Sequence, residues 1–373
     1  MLDQFKKMAV FILAVILGWL GRFQPRRDRK EAAVIFFSGK LGDMVCLTPI
    51  FKAVKRQLGD GELIIYARKK FLPIWDNNPY LDRKIGFTGE SEALRPGWLI
   101  KQWLFLRRYS IVSYYNLVNN FEGGVLGLAA PAARRKMVIT KLDGRWLRLL
   151  HPYFTVSEYK FDRQIKEFYF EILSSDNIIV DDKKNQLFFP GGSALADNFW
   201  REHDLDNRFV VGLAVSSGKD YFKIWPAAYW AKLINLLKDG YQAKFVIFGL
   251  SGEAEIIETI GRQSGVDCLA VLDSELNQLP YYLNKCGLFV SVDMGVIYIA
   301  DSLGVPVVDI IGPCDENTQR PENNYRLITN REVCPAYSKM LDSPTGHFDE
   351  MKRCYESITP EQVFDACREL IKN

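Results

Sequence analysis

Histidine is scarce in this 373-residue chain: His151, His203 and His347 are the three, and no two stand at metal-ligand spacing. Histidine-built metal chemistry is therefore not expected, and Cys334, His347 and Cys354 are the one gathering that could hold a metal. Seven cysteines, an odd number without a Cys-x-x-Cys pair, argue against a disulfide framework and for reduced thiols facing the cytosol. No Gly-x-Ser-x-Gly elbow occurs, and no complete Gly-x-Gly-x-x-Gly follows a strand. Ser38-Gly39-Lys40 is not a P-loop, because the upstream glycine is missing and Leu41 stands where Ser or Thr must. No repeat of fixed period is present.

What is present is a globular composition, 48% hydrophobic and 25% charged, at a length that predicts two domains. The net charge of +3 hides an asymmetry. Residues 1–190 carry 31 Lys and Arg against 19 Asp and Glu, whereas residues 191–373 carry 17 against 26. A basic half points to an anionic partner, membrane or nucleic acid. Arg26-Arg27-Asp28-Arg29-Lys30, Arg68-Lys69-Lys70, Arg107-Arg108 and Arg134-Arg135-Lys136 carry much of the excess. No recognition-helix or aromatic-stacking pattern accompanies them, so nucleic acid is not expected as a partner.

Met8 to Leu20 holds no charge, with Lys6 and Lys7 before it and Arg22, Arg26, Arg27, Arg29 and Lys30 after it. The run is short of the roughly 20 residues a spanning helix needs. It also lacks a small-x-small cleavage site. Basic flanks with Trp19 and Phe23 at one end fit a helix lying in the interface of an anionic leaflet, a span or a buried helix being the alternatives.

Further on, Ala32–Phe37 is an apolar run of strand length, and Ser38–Asp43 reads as a turn. A helical pattern then runs from Leu47-Thr48-Pro49 to Leu58, and Glu62–Tyr66 reads as a second strand. That is a βαβ unit. Strands are also expected at 111–115, 135–139, 208–215, 244–248, 288–292 and 305–311. Helices are expected at 161–173, 226–237, 253–262, 276–284, 295–303 and 362–372. The reading is an α/β chain of two alternating halves facing across a cleft, with the link near 175–200 and ligands beyond the carboxyl ends of the strands.

Three places carry chemistry. Asp43, just past the first strand in a turn with Gly39, Lys40 and Gly42, can serve as a general base or simply cap the following helix. The glycines permit close backbone approach to a ligand. Ser216, Ser217 and Lys223 lie in a loop between strand and helix, suited to phosphate oxygens. Asp293-Met294-Gly295 is another strand-to-helix turn: its amides suit a diphosphate, and Asp293 can take a sugar hydroxyl or cap the helix.

Together these residues resemble glycosyltransferase family 9, the lipopolysaccharide heptosyltransferase family, across roughly residues 32–370. The matching stretches are Gly42-Asp43-Met44-Val45-Cys46-Leu47-Thr48-Pro49; Ser216-Ser217 with Lys223-Ile224-Trp225-Pro226; Asp293-Met294-Gly295-Val296-Ile297-Tyr298; Gly312-Pro313; and Cys354 through Ile358-Thr359-Pro360. In the third, Met294 stands where the family has Thr or Ser, and Tyr298 where it has His.

The resemblance implies a GT-B fold of two Rossmann-like domains and inverting, metal-independent transfer of a heptose from a nucleotide-diphosphate sugar such as ADP-heptose. Asp43 is implied as the base. Ser216, Ser217, Lys223, Asp293, Met294, Gly295 and Tyr298 are implied on the donor side, with no cofactor. The expected boundaries are an apolar, basic segment at 1–30, an acceptor domain at 31–185, a donor domain at 186–350 and a terminal helix at 351–373. The expected partners are the nucleotide sugar, a phosphorylated lipid-linked glycan acceptor and an anionic membrane surface, at the cytoplasmic face of the inner membrane. The alternative function is a non-catalytic sugar-nucleotide or glycolipid binding protein of the same descent.

Overall fold

Strands that are apolar without interruption can be buried on both faces only inside a parallel sheet covered by helices on each side. The computed structural model, which describes residues 2–23, 29–140, 144–216, 223–337 and 348–372, shows two such sheets. Residues 1–72 with 78–183 form one compact unit, and residues 73–77 with 184–373 form the other.

The first unit contains β1 (Glu31–Phe37), β2 (Glu62–Arg68), β3 (Arg83–Phe87), β4 (Ser110–Asn116), β5 (Arg134–Ile139) and β6 (Thr155–Glu158). Their order is β3-β2-β1-β4-β5-β6, every neighbouring pair parallel. The reversal of order between β1 and β4 is a topological switch point, where such sheets open a crevice for ligands. The second unit contains β7 (Val210–Ala214), β8 (Lys244–Gly249), β9 (Cys268–Leu272), β10 (Leu288–Val292), β11 (Val307–Ile310) and β12 (Tyr325–Ile328). Their order, β12-β11-β10-β7-β8-β9, repeats that topology in parallel pairs. This is the GT-B arrangement of two Rossmann-like halves.

One face of the second sheet packs on helices Ala227–Tyr241 and Pro360–Ile371. Val211, Leu213, Val290 and Ile310 meet Trp230, Leu233, Leu237, Val363 and Leu370 there, all buried. Because the apolar positions alternate, Ser291 and its register partner Asp309 fall on the opposite face.

Two expectations change. Residues 41–43, expected to end the turn, instead open a short helix, Leu41–Cys46, which is soon followed by helix Pro49–Leu58. Cys334 and Cys354 are joined in a disulfide rather than reduced, because helix Phe348–Glu356 brings their Cα atoms to 5.0 Å. Bonded to each other, they are not thiolate metal ligands, and His347 lies outside the described residues. Cys46, Cys268, Cys286, Cys314 and Cys367 are not disulfide-bonded.

Candidate active site

In the first unit the chain leaves β1 through Ser38, Gly39 and Lys40 and enters helix Leu41–Cys46, which puts Asp43 in its first turn. Asp43 Oδ2 accepts the Lys40 backbone N–H at 2.7 Å. The capping role is therefore real. A carboxylate has about four acceptor positions, so capping leaves room for a proton-accepting role. Gly39 is pressed against it: a Cβ there would stand 2.7 Å from Asp43 Cβ and 2.6 Å from the Phe37 ring. Gly42 is buried and Lys40 exposed. From helix Ile165–Ser174, Tyr169 packs edge-on against Phe37 with its hydroxyl buried and without a partner. Burial, and then the Asp43 charge, raise that phenol well above its usual pKa.

A polar group at the carboxyl ends of β4 and β5 completes this side, and the sequence reading missed it. Asn120 Nδ2 donates to Ser38 Oγ at 2.8 Å while its Oδ1 caps helix Phe121–Ala129 through Gly123 N–H at 3.0 Å. Asn119 Nδ2 donates to Thr140 Oγ1 at 2.8 Å, and the buried Oδ1 atoms of Asn116 and Asn119 have no partner. The available signal was Asn116-Leu-Val-Asn119-Asn120 directly at a strand's end, where ligands bind.

In the second unit, Ser216 follows β7 and is bridged to Ile224 in antiparallel fashion, which closes the neck of the loop that carries Lys223. Ser217 lies outside the described residues, and Ser216 is buried. Trp225 anchors the loop: it is fully buried, packs edge-on against Trp230 at 4.9 Å, and donates from Nε1 to the Ile358 carbonyl at 2.9 Å. The Lys-x-Trp-Pro stretch and the Ile-Thr lead into the last helix, 133 residues apart, thus form one joint.

Lys223 Nζ reaches Asp293, bonding Oδ2 at 2.6 Å and the backbone carbonyl at 3.0 Å. Both side chains are only about 15% exposed. Burial alone would lower the lysine's pKa, but the Asp293 carboxylate overrides it and raises it, so the ammonium is permanent. The free thiol of Cys314, just past Gly312-Pro313, is pushed up by burial and by Asp293. Gly312 has φ +52°, and a Cβ there would meet the Tyr355 ring at 2.6 Å, so that turn requires glycine.

Met294 is the residue before helix Gly295–Ser302 and packs its side chain on the apolar core, so it offers the site backbone only. The first amides of that helix lack intrahelical acceptors, which suits an anion. Tyr298, one turn further on, is buried at 4% exposure.

Asp309 was missed altogether. It is fully buried on β11 with neither oxygen hydrogen-bonded. Burial first, then the charge of Asp293, raise its pKa well above the carboxylate range against the pull of Lys223. It therefore feels both charges of the Lys223–Asp293 couple.

Residues 173–343, which contain Ser216, Lys223, Trp225, Asp293, Met294, Tyr298, Asp309 and Gly312, match the model of glycosyltransferase family 9 (heptosyltransferase). That stretch is similar to the family 9 glycosyltransferases.

The likeness extends beyond it. Lipopolysaccharide heptosyltransferase 3 of Escherichia coli K12 is 23% identical over 345 residues, 88% of this chain and 95% of that protein. Lipooligosaccharide heptosyltransferase 2 of Campylobacter jejuni is 23% identical over 344 residues, 89% and 96%. Among solved structures, a family 9 glycosyltransferase of Veillonella parvula superposes with TM-score 0.74 at 19% identity, covering 94% of this chain and 99% of that one. Escherichia coli ADP-heptose heptosyltransferase II gives 0.68 at 19%, with 92% and 98% covered. The matched stretch carries the Lys223–Asp293 couple, whereas Asp43 lies in the preceding unit, outside it.

Proposed function

We propose that the protein transfers a heptose or a closely related sugar from a nucleotide-diphosphate sugar, ADP-heptose first among the candidates, to a lipopolysaccharide or lipooligosaccharide core acceptor. The observation that carries this reading is the Lys223–Asp293 couple at the mouth of two strand-to-helix turns, within the stretch that matches family 9. A departing nucleoside diphosphate needs fixed positive charge, and Lys223 supplies it without a metal. The amides at Met294 and Gly295 add donors, and Ser216 and Ser217 add hydroxyls. Asp293 takes a sugar hydroxyl, with Tyr298 behind it.

On the acceptor side, Asp43 removes the proton of the incoming hydroxyl. The freed oxygen bonds to the anomeric carbon as the bond from that carbon to the diphosphate oxygen breaks. The electron pair leaves with the nucleoside diphosphate, and the proton stays on Asp43. One displacement inverts the anomeric centre. Such an acceptor is lipid-linked and phosphorylated, so the work belongs at the cytoplasmic face of the inner membrane. The basic first unit and the apolar N-terminal helix support that placement.

The test is incubation of the full-length protein with ADP-heptose and a truncated core acceptor in chelator. The expected product is a glycan extended by one heptose, with the anomeric configuration inverted by NMR. Retained configuration or dependence on an added metal would refute the mechanism. Donor binding with no turnover on any core acceptor would favour the binding-protein reading, which the Met294 side chain's turn into the core supports.

A further inference from the structure

The N-terminal helix Leu2–Arg22 is apolar on two faces, and the first unit uses one of them. Val10, Ala14 and Leu17 are buried. At Gly18 an added Cβ would stand 2.3 Å from the Leu128 carbonyl oxygen, and at Gly21 3.0 Å from Pro131, so the helix lies lengthwise against helix Phe121–Ala129. Phe5, Met8, Ile12, Ile16 and Trp19, with Phe23 just beyond, recur every three or four residues on the outer side and are 42–68% exposed.

Two segments that touch this helix expose apolar side chains of their own. Helix Pro96–Leu106 meets the N-terminal helix near Gly21 through Trp103. It leaves Ile100 and Leu104 exposed in a groove of about 540 Å³ that Lys101 and Arg108 also line. On another side, the Tyr153 ring meets Phe11 at 6.2 Å. Tyr153 and Leu149 are themselves about 40% exposed, and the exposed Arg145 and Arg148 accompany them.

We propose that these three segments form one monotopic membrane-binding face. The N-terminal helix lies in the plane of an anionic leaflet with its outer stripe among the acyl chains. Ile100, Leu104, Leu149 and Tyr153 enter beside it, and Lys101, Arg108, Arg145 and Arg148 hold lipid phosphates. The inference rests on the membrane association proposed above and deepens it, since a helix docked lengthwise on its own unit does not also cross the bilayer. Cations of one sign around an apolar stripe complement an anionic bilayer and would repel a second copy of themselves.

Sedimentation with neutral and phosphatidylglycerol-containing vesicles tests this on the full chain. Ile12→Glu/Ile16→Glu and Ile100→Glu/Leu104→Glu should each lower partition onto anionic vesicles by about tenfold or more. Lys101→Glu/Arg108→Glu should remove most of the preference for anionic over neutral vesicles. Unchanged nucleotide affinity in each variant checks the fold. An impermeant amine reagent outside sealed vesicles should modify Lys6, and protection of Lys6 would overturn the in-plane placement. If only the 12/16 pair weakens binding, the three-segment face falls while membrane association stands. If the parent protein binds no vesicle, both fall. A solution dimer broken by these same variants would assign the face to a second copy instead.

Discussion

Lys223 grips Asp293 twice, through the carboxylate at 2.6 Å and the backbone carbonyl at 3.0 Å, so the loop's cation is already aimed at the turn where a diphosphate would sit. Lys223→Met would leave Asp293 largely buried beside Asp309 with no compensating charge. Breaking such a pair from one side costs about 3–5 kcal/mol. Urea unfolding should show that loss, and Lys223→Met/Asp293→Asn should recover part of it. Titration should show nucleoside diphosphate weakened by roughly 10- to 100-fold and the bare nucleoside nearly unaffected, as befits a lost charge-assisted bond. Equal weakening of both would contradict the assigned role.

Asp309 makes a pH prediction. Its pKa in the folded protein is raised above the unfolded value, first by burial and then by Asp293. Below about pH 4 both states are protonated and it contributes nothing. As pH rises past the unfolded value, the unfolded chain gains by ionising while the folded one does not, so stability is lost. Asp309→Asn has the same shape and cannot ionise. Its melting temperature should match the parent's near pH 4 and exceed it increasingly toward pH 7. A difference independent of pH would show that Asp309 is not held neutral.

Much of this architecture could be read from residue order, for a physical reason. β1, β2, β7, β8 and β10 are buried on both faces and show as unbroken apolar runs, and Pro49, Pro226 and Pro360 mark helix starts. The edge strands Arg83–Phe87, Thr155–Glu158, Cys268–Leu272 and Tyr325–Ile328 escape notice because their residues are mostly half-exposed. Helix Leu41–Cys46 is too short, and too interrupted by Gly42, to show a period. The site divides the same way. Lys223 and Asp293 stand out as polar residues at strand ends, but their contact spans 70 residues. Asp309 reads as a blemish in Val-Val-Asp-Ile-Ile, and its burial depends on which sheet face meets which helix.

Trp225 fixes the position of Lys223 through the last helix. Trp225→Phe keeps an aromatic ring but leaves the buried Ile358 carbonyl unpaired, at a cost of about 1–3 kcal/mol. The midpoint of urea unfolding should fall accordingly. Nucleoside diphosphate affinity should fall with it, since the loop's anchor is two residues from the cation. Loss of stability with affinity intact would mean the joint serves folding alone.

Gly39 and Asp43 separate capping from catalysis. Asp43→Asn keeps an oxygen for the Lys40 N–H, so stability should stay within about 1 kcal/mol of the parent. It loses the proton acceptor, and kcat should fall by about 10²–10⁴ with donor affinity unchanged. Gly39→Ala approaches the same group by packing. Its Cβ would press on the Phe37 ring, which is buried against Tyr169 and cannot yield, so Asp43 must move. Overpacking of this kind costs about 1–3 kcal/mol, and a carboxylate displaced by about 1 Å can lose some 100-fold in rate. A base therefore predicts that both variants lose turnover, though only Gly39→Ala loses stability. A carboxylate that merely capped its helix would let Asp43→Asn turn over at the parent's rate, and that single assay separates the two roles.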